Sequence, residues 1–149
     1  MDIRTILVPF DFSEYAERAF HNALDLAEKW HSRLLLLHVV PAPSYPPMVM
    51  GTYFNPTDFE ASLRAEAETR ATEFVTKVGR PGVPVDVRVV VGDPFADICR
   101  IGEQEQVALI VMGSHGRTGF GRVLLGSVAE RVVRHAPCPV LVVGKKAHL

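Results

Sequence analysis

Gly113, Gly116, Gly119, Gly121 and Gly126 follow in quick succession behind the wholly apolar run Ala108–Met112, and Ser127 closes the series. Glycine admits positive φ, and its missing side chain lets a ligand approach the main chain closely. Successive N–H groups in such a stretch form an anion-binding nest. Ser127 and Val128 stand where a further helix is expected to begin, and a helix start offers free N–H groups and a favourable dipole to a phosphate. Arg117 and Arg122 add positive charge. A surface loop with two arginines has the same composition, so the residue types alone leave both readings open.

Two other phosphate motifs are excluded. A Walker A loop needs lysine between its last glycine and the Ser/Thr, and Gly126 is followed directly by Ser127. A dinucleotide fingerprint needs its glycines after the first strand, where this chain reads Pro9-Phe10-Asp11-Phe12-Ser13. Asp11 is the other residue to follow a strand with chemistry of its own, although Asp also suits a plain turn before a helix. His115 lies inside the glycine stretch, where it either meets a phosphate or is an exposed loop side chain. His38, at a strand end, reads as structural. His21, His31, His135 and His148 form no metal spacing.

Strand and helix periods set these residues in order. Ile3–Phe10 reads as a buried strand. Ser13 is a good N-cap, and Ala16, Ala19, Phe20, Ala23, Ala27 and Trp30 then recur at helical spacing. Leu34–Val40 is a second strand. Residues 41–56 carry Pro and Gly without periodicity, a length of connection often tied to function; Met48, Met50, Tyr53 and Phe54 suit a lid, a subunit contact or a loop over a satellite core. Thr57–Glu60 matches a capping box, and Phe59, Leu63, Ala67, Ala71, Phe74 and Val78 mark one helix face. Val85–Val91 is half polar, as an edge strand would be. Asp93 and Pro94 start a short helix with Phe95, Ile98 and Cys99 inward. Ala108–Met112 reads as a central strand, Ser127–Glu130 as a second capping box, and Pro139–Val143 as the closing strand. Strands alternating with helices predict a single α/β domain over residues 1–149, with a five-stranded, mostly parallel sheet covered by helices on both faces. In this Rossmann-like open sandwich, ligands bind at the carboxyl ends of the strands.

The chain's 149 residues suffice for a core without disulfides or metals. A net charge of −1 gives no electrostatic pull toward nucleic acid or an anionic membrane. Cys99 and Cys138 form no CxxC or zinc spacing and are expected as buried, reduced thiols. No leader pattern and no apolar run near the roughly 20 residues of a membrane span is found, so the expected compartment is the cytoplasm.

The spacing Gly113-x2-Gly116-x9-Gly126-Ser127 resembles the G-x2-G-x9-G-[ST] signature of ATP-binding universal stress proteins. Val8–Ser13, His38-Val39-Val40, Val91–Pro94 and Ala136–Val143 resemble other segments of that family, in order, over nearly the whole chain. The resemblance implies an adenine-nucleotide-hydrolase-like fold binding ATP, with Mg²⁺ carried mainly by phosphates and water. It puts Asp11 on the ribose or near the adenine, Val39 against the base and Pro9 and Phe10 in the floor. Met112 and Gly113 line the adenosine end. Gly116, Gly126, Ser127 and Val128 hold phosphates, with Arg117 beside them. It further implies a homodimer through the closing strand.

No catalytic base or arginine finger is identifiable. The expectation is a nucleotide-responsive regulatory protein with at most slow ATP hydrolysis or autophosphorylation. A true ATP hydrolase, a dimeric adaptor with structural nucleotide, and a binder of AMP or a cyclic nucleotide are the alternatives.

Overall fold

The computed structural model describes residues 2–45, 54–117 and 125–145. Met48, Met50, Tyr53, Gly119, Gly121, Arg122 and His148 lie outside them. Five strands form one sheet: β1 (Thr5–Pro9), β2 (Arg33–Pro41), β3 (Val85–Gly92), β4 (Leu109–Gly113) and β5 (Val140–Val143). Four helices alternate with them: α1 (Glu14–Trp30), α2 (Pro56–Val78), α3 (Pro94–Gln104) and α4 (Ser127–His135). The strand order is β3-β2-β1-β4-β5 and every pairing is parallel.

The period-2 alternation of strand side chains divides the core in two. Ile6, Val8, Leu34, Leu36, Leu109 and Val111 pack on one face with Ala19, Phe20 and Ala23 of α1 and Ala71 of α2. Leu7, Leu35, Leu37, Ile110 and Met112 point to the other face, toward Ile98 and Ile101 of α3 and Val132 of α4. The chain winds outward from β1 to β3, then crosses back to β4 beside β1. That reversal makes the carboxyl ends of β1 and β4 the topological switch point, where such sheets open a crevice. β3 is an edge strand, as its polar pattern predicts, and β4 lies inside the sheet.

Several local expectations change. Asn55, not Thr57, caps α2: its side chain accepts hydrogen bonds from the N–H groups of Thr57 and Asp58, while Pro56, which has no N–H to satisfy, occupies the first turn. Ser127 is the first residue of α4 rather than its cap, and the cap position belongs to Gly126, which has no side chain to offer. Trp30 is 45% exposed; it sits in the last turn of α1, past Ala27, where left-handed His31 already turns the chain toward β2. Phe59 is also exposed and packs against the rings of Tyr45 and Phe54 instead of the core. At about 1.5 Å per residue the 23 residues of α2 span about 35 Å. The eight of β3 span about 26 Å. The first turns of α2 therefore overhang the carboxyl edge of the sheet. Cys99 and Cys138 are free but only partly buried. Burial pushes both thiols up from their ordinary value, which disfavours the nucleophilic thiolate.

Candidate functional site

The turn that carries Asp11 is built from its own side chains. The Ser13 N–H donates to Asp11 Oδ1 at 3.0 Å, and Ser13 Oγ accepts from the Ala16 N–H at 3.2 Å, starting α1. Between them Phe12 adopts φ 63°, a left-handed conformation unusual for a bulky residue. Its ring is fixed by an edge contact to Phe10 at 5.1 Å and one to His38 at 4.8 Å. Phe10 in turn stacks on Phe74 of α2 at 4.6 Å. Aromatic packing between the end of β1 and α2 thus stands directly beneath Asp11.

The glycine stretch leaves β4 and returns to α4 through a pinned neck. The Ser114 N–H donates to Val143 O at 2.9 Å, and the Gly126 N–H donates to Ser114 O at 2.7 Å. Gly126 therefore spends its N–H inside the chain, and its smallness serves close packing: a Cβ there would lie 3.3 Å from both His115 Cα and Ser114 O. Gly113 and Gly116 are likewise required by proximity. A Cβ on Gly113 would meet Tyr15 Cβ at 2.7 Å and its carbonyl carbon at 2.9 Å, and one on Gly116 would meet Asp11 Oδ2 at 2.7 Å. Among the described glycines only Gly82 has positive φ, so close approach, not left-handed backbone, explains these three. The Arg117 N–H donates to Asp11 Oδ2 at 3.2 Å and its Nε to Asp11 O at 2.7 Å, tying the loop to the β1 turn.

These elements enclose a cleft of about 660 Å³, within the range of small-molecule sites. Pro9, Phe10 and Asp11 enter it from the end of β1, Val39 from β2, and Met112 and Gly113 from β4. Gly116 and Arg117 come from the loop, and Gly126, Ser127 and Val128 from the start of α4. Pro9, Phe10, Asp11, Val39, Met112, Gly113, Gly116, Arg117, Gly126, Ser127 and Val128 therefore share one cavity, while Gly119, Gly121 and Arg122 lie outside the described residues. One wall is apolar, with Val39 and Met112 against Ile98. The opposite end receives the N-terminus of α4, whose first N–H groups have no intrahelical partner and no side-chain cap. The other helices do have such caps, from Ser13, Asn55 and Asp93.

Sequence reasoning missed the wall contributed by α2. Its overhanging turns bring Leu63, Glu66, Ala67 and Arg70 to the cleft, and no signal in the sequence links Arg70 to Phe12, whose ring lies 4.0 Å from its guanidinium carbon. His38 is structural and also lines the cleft. Its Nδ1–H donates to Phe10 O at 2.6 Å, since a carbonyl can only accept. Burial holds the His38 imidazole below its usual value, against the raising effect of that hydrogen bond. His115 is half-buried, with Nδ1 3.0 Å from Ser114 Oγ and its ring 5.2 Å from that of Tyr15.

A doubly wound parallel α/β sheet with a cleft at its switch point defines the class of this protein. The family model for the universal stress protein family matches residues 2–144. The chain belongs to the universal stress protein family. It is 34% identical to universal stress protein MJ0577 of Methanocaldococcus jannaschii, over 96% of each chain. The solved structure of MJ0577 superposes with TM-score 0.82, at 30% identity, over 99% of this chain and 100% of that one. Universal stress protein UspA from Lactobacillus plantarum superposes with TM-score 0.72, at 29% identity, over 96% of this chain and 99% of that one. An Archaeoglobus fulgidus universal stress protein solved in complex with dAMP shares the fold at TM-score 0.63 and 24% identity, over 96% of this chain and 99% of that one. No described helix is long and apolar enough to cross a membrane.

Proposed function

We propose that the cleft binds ATP and that the protein is a nucleotide-responsive regulator of the cytoplasmic stress response. One observation carries the reading: a single cavity at the switch point joins an apolar wall to an uncapped helix N-terminus. The base packs between Val39 and Met112 above Pro9 and Phe10. Asp11 accepts hydrogen bonds from the ribose hydroxyls. Gly113 lines the adenosine end beside Met112, and the 5′-phosphates lie along Gly116 and on the N–H groups of Ser127 and Val128, with the Ser127 hydroxyl as a further donor. Gly126 contributes by closing the neck, and Arg117 supplies charge. Each of these groups is complementary to one part of an adenine nucleotide, so the residues present fit the ligand.

Among the described residues no group of three or more His, Cys, Asp or Glu could hold a metal ion. Mg²⁺ would ride on the phosphates and water, where it neutralises phosphate charge. Turnover is at most slow: backbone donors hold a nucleotide without activating water for attack. ATP acts instead through its contacts at Gly116, Arg117 and Ser127, which change the surface presented to a partner. β5, an edge strand with Leu141 37% exposed, pairs with a second copy to form a homodimer.

Titration calorimetry of nucleotide-stripped protein with Mg-ATP, ADP, AMP and cyclic AMP tests the reading. ATP binding that is lost in a folded Gly116→Val variant is expected. Absence of heat and of any Tm shift with every nucleotide would overturn it and leave the dimeric adaptor as the better account.

A further inference from the structure

The nucleotide placed as above leaves part of the cleft unused. Beyond Asp11, on the α1/α2 face of the sheet and away from the start of α4, the cavity continues along His38, Leu63, Glu66 and Arg70. Two cations meet there on one ring. The guanidinium carbon of Arg70 lies 4.0 Å from the Phe12 centroid and that of Arg117 lies 5.8 Å from it. The Phe12 backbone is left-handed, a strained conformation of the kind found at ligand clamps. Arg117 spends its Nε on Asp11 O. Arg70 has neither an ion pair nor a hydrogen bond among the described residues, although Glu66 stands four positions earlier on the same helix. The N–H donors of a guanidinium lie in its own plane around its edge, where they match a phosphate or carboxylate bidentately. His38 faces the same pocket, and burial holds its imidazole below the ordinary value.

We infer that Arg70, with Arg117 contributing from the 5′-phosphate side of the same ring, forms an anion subsite for a phosphate on the ribose of the bound nucleotide, apart from its 5′ chain. The inference rests on the nucleotide reading above. If Asp11 holds the ribose and α4 holds the 5′-phosphates, Arg70 lies on the far side of Asp11 from that chain, at the 2′/3′ edge of the sugar. A phosphate on either hydroxyl presents the chemistry these arginines recognise. Glu66 lines the same wall, and its negative charge opposes the ligand. No bond forms or breaks at this subsite; it selects among nucleotides by charge and position.

The test is calorimetric titration with AMP, adenosine 2′,5′-bisphosphate and adenosine 3′,5′-bisphosphate, on the unaltered protein, Arg70→Gln and Glu66→Gln. At least one bisphosphate is expected to bind about tenfold or more tightly than AMP, the scale of one charge-assisted pair, and the preferred isomer reports which hydroxyl faces Arg70. Arg70→Gln is expected to erase that ratio while leaving AMP affinity within about twofold, and Glu66→Gln to widen it. Both substitutions fall on the exposed side of α2, and an unchanged Tm checks that folding is intact. Equal binding of AMP and both bisphosphates, or a ratio that survives Arg70→Gln, overturns the subsite while leaving the nucleotide reading intact. Failure of AMP and ATP alike to bind overturns both.

Discussion

Gly113 and Gly116 stand three residues apart in one motif, yet replacing each by alanine is expected to damage different properties. At Gly113 the new Cβ would lie 2.7 Å from Tyr15 Cβ, 2.9 Å from its carbonyl carbon and 3.1 Å from its carbonyl oxygen. Those atoms belong to the first turn of α1, which is fixed by the Ser13 cap and by Ala16 and Ala19 in the core. Relief requires the end of β4 and α1 to part. Overpacking of this kind costs about 1–3 kcal/mol, or roughly 3–10 °C in Tm for a chain of this size. At Gly116 the only close neighbour among the described residues is Asp11 Oδ2 at 2.7 Å, the far end of a side chain that can rotate. Swinging Oδ2 aside about Oδ1, which keeps its bond from the Ser13 N–H at 3.0 Å, breaks the bond from the Arg117 N–H at 3.2 Å, an exposed contact worth about 1 kcal/mol. The displaced carboxylate, however, is the group expected to hold the ribose. Gly116→Ala should therefore shift Tm by less than about 3 °C and weaken ATP binding about tenfold or more. Thermal unfolding and calorimetric titration of the two variants, side by side, read both quantities. A Gly113→Ala variant with unaltered Tm, or a Gly116→Ala variant with unaltered ATP affinity, would refute the close-approach explanation of these glycines.

Three further outcomes are expected. The buried His38 titrates below its ordinary value of 6.5, so the unfolded chain takes up that proton first. Its stabilising contribution is complete above pH 6.5 and is lost as pH falls through the folded value; urea unfolding at a series of pH values should show that acid loss, reduced in His38→Gln. Glu105 accepts from Arg88 at 2.8 Å and from Arg33 at 3.3 Å, and Glu105→Gln should cost about 0.2–1 kcal/mol in urea unfolding without altering ATP affinity, because the pair is absent from the cleft lining. Leu141→Lys, on the β5 edge, should convert the proposed homodimer to a monomer in light scattering while leaving the monomer's far-ultraviolet circular dichroism unchanged.

The loop spacing Gly113–Ser127, the Asp11 turn and the alternation of apolar strands with amphipathic helices were legible in the sequence. Each depends on periodicity or on residues near one another along the chain. Alternation also implied a parallel sheet with ligands at its carboxyl edge, and the residues picked on that basis line one cleft. What escaped the sequence depends on lengths and on partners far apart in the chain. The caps of α2 and α4 were displaced by a residue or two because Asn55 competes with Thr57 and because Gly126 is held by Ser114 O. The glycines were expected to supply positive φ and room for a ligand at the main chain, whereas proximity to Tyr15, Asp11 and His115 within the protein explains Gly113, Gly116 and Gly126. Arg70 could not be read as a cleft residue, because its place follows from α2 outreaching the sheet and from its contact with the Phe12 ring, far away in the chain. Local spacing specifies which groups can bind an anion; only the packing of α2 across the end of β1 decides which of them face the same ligand.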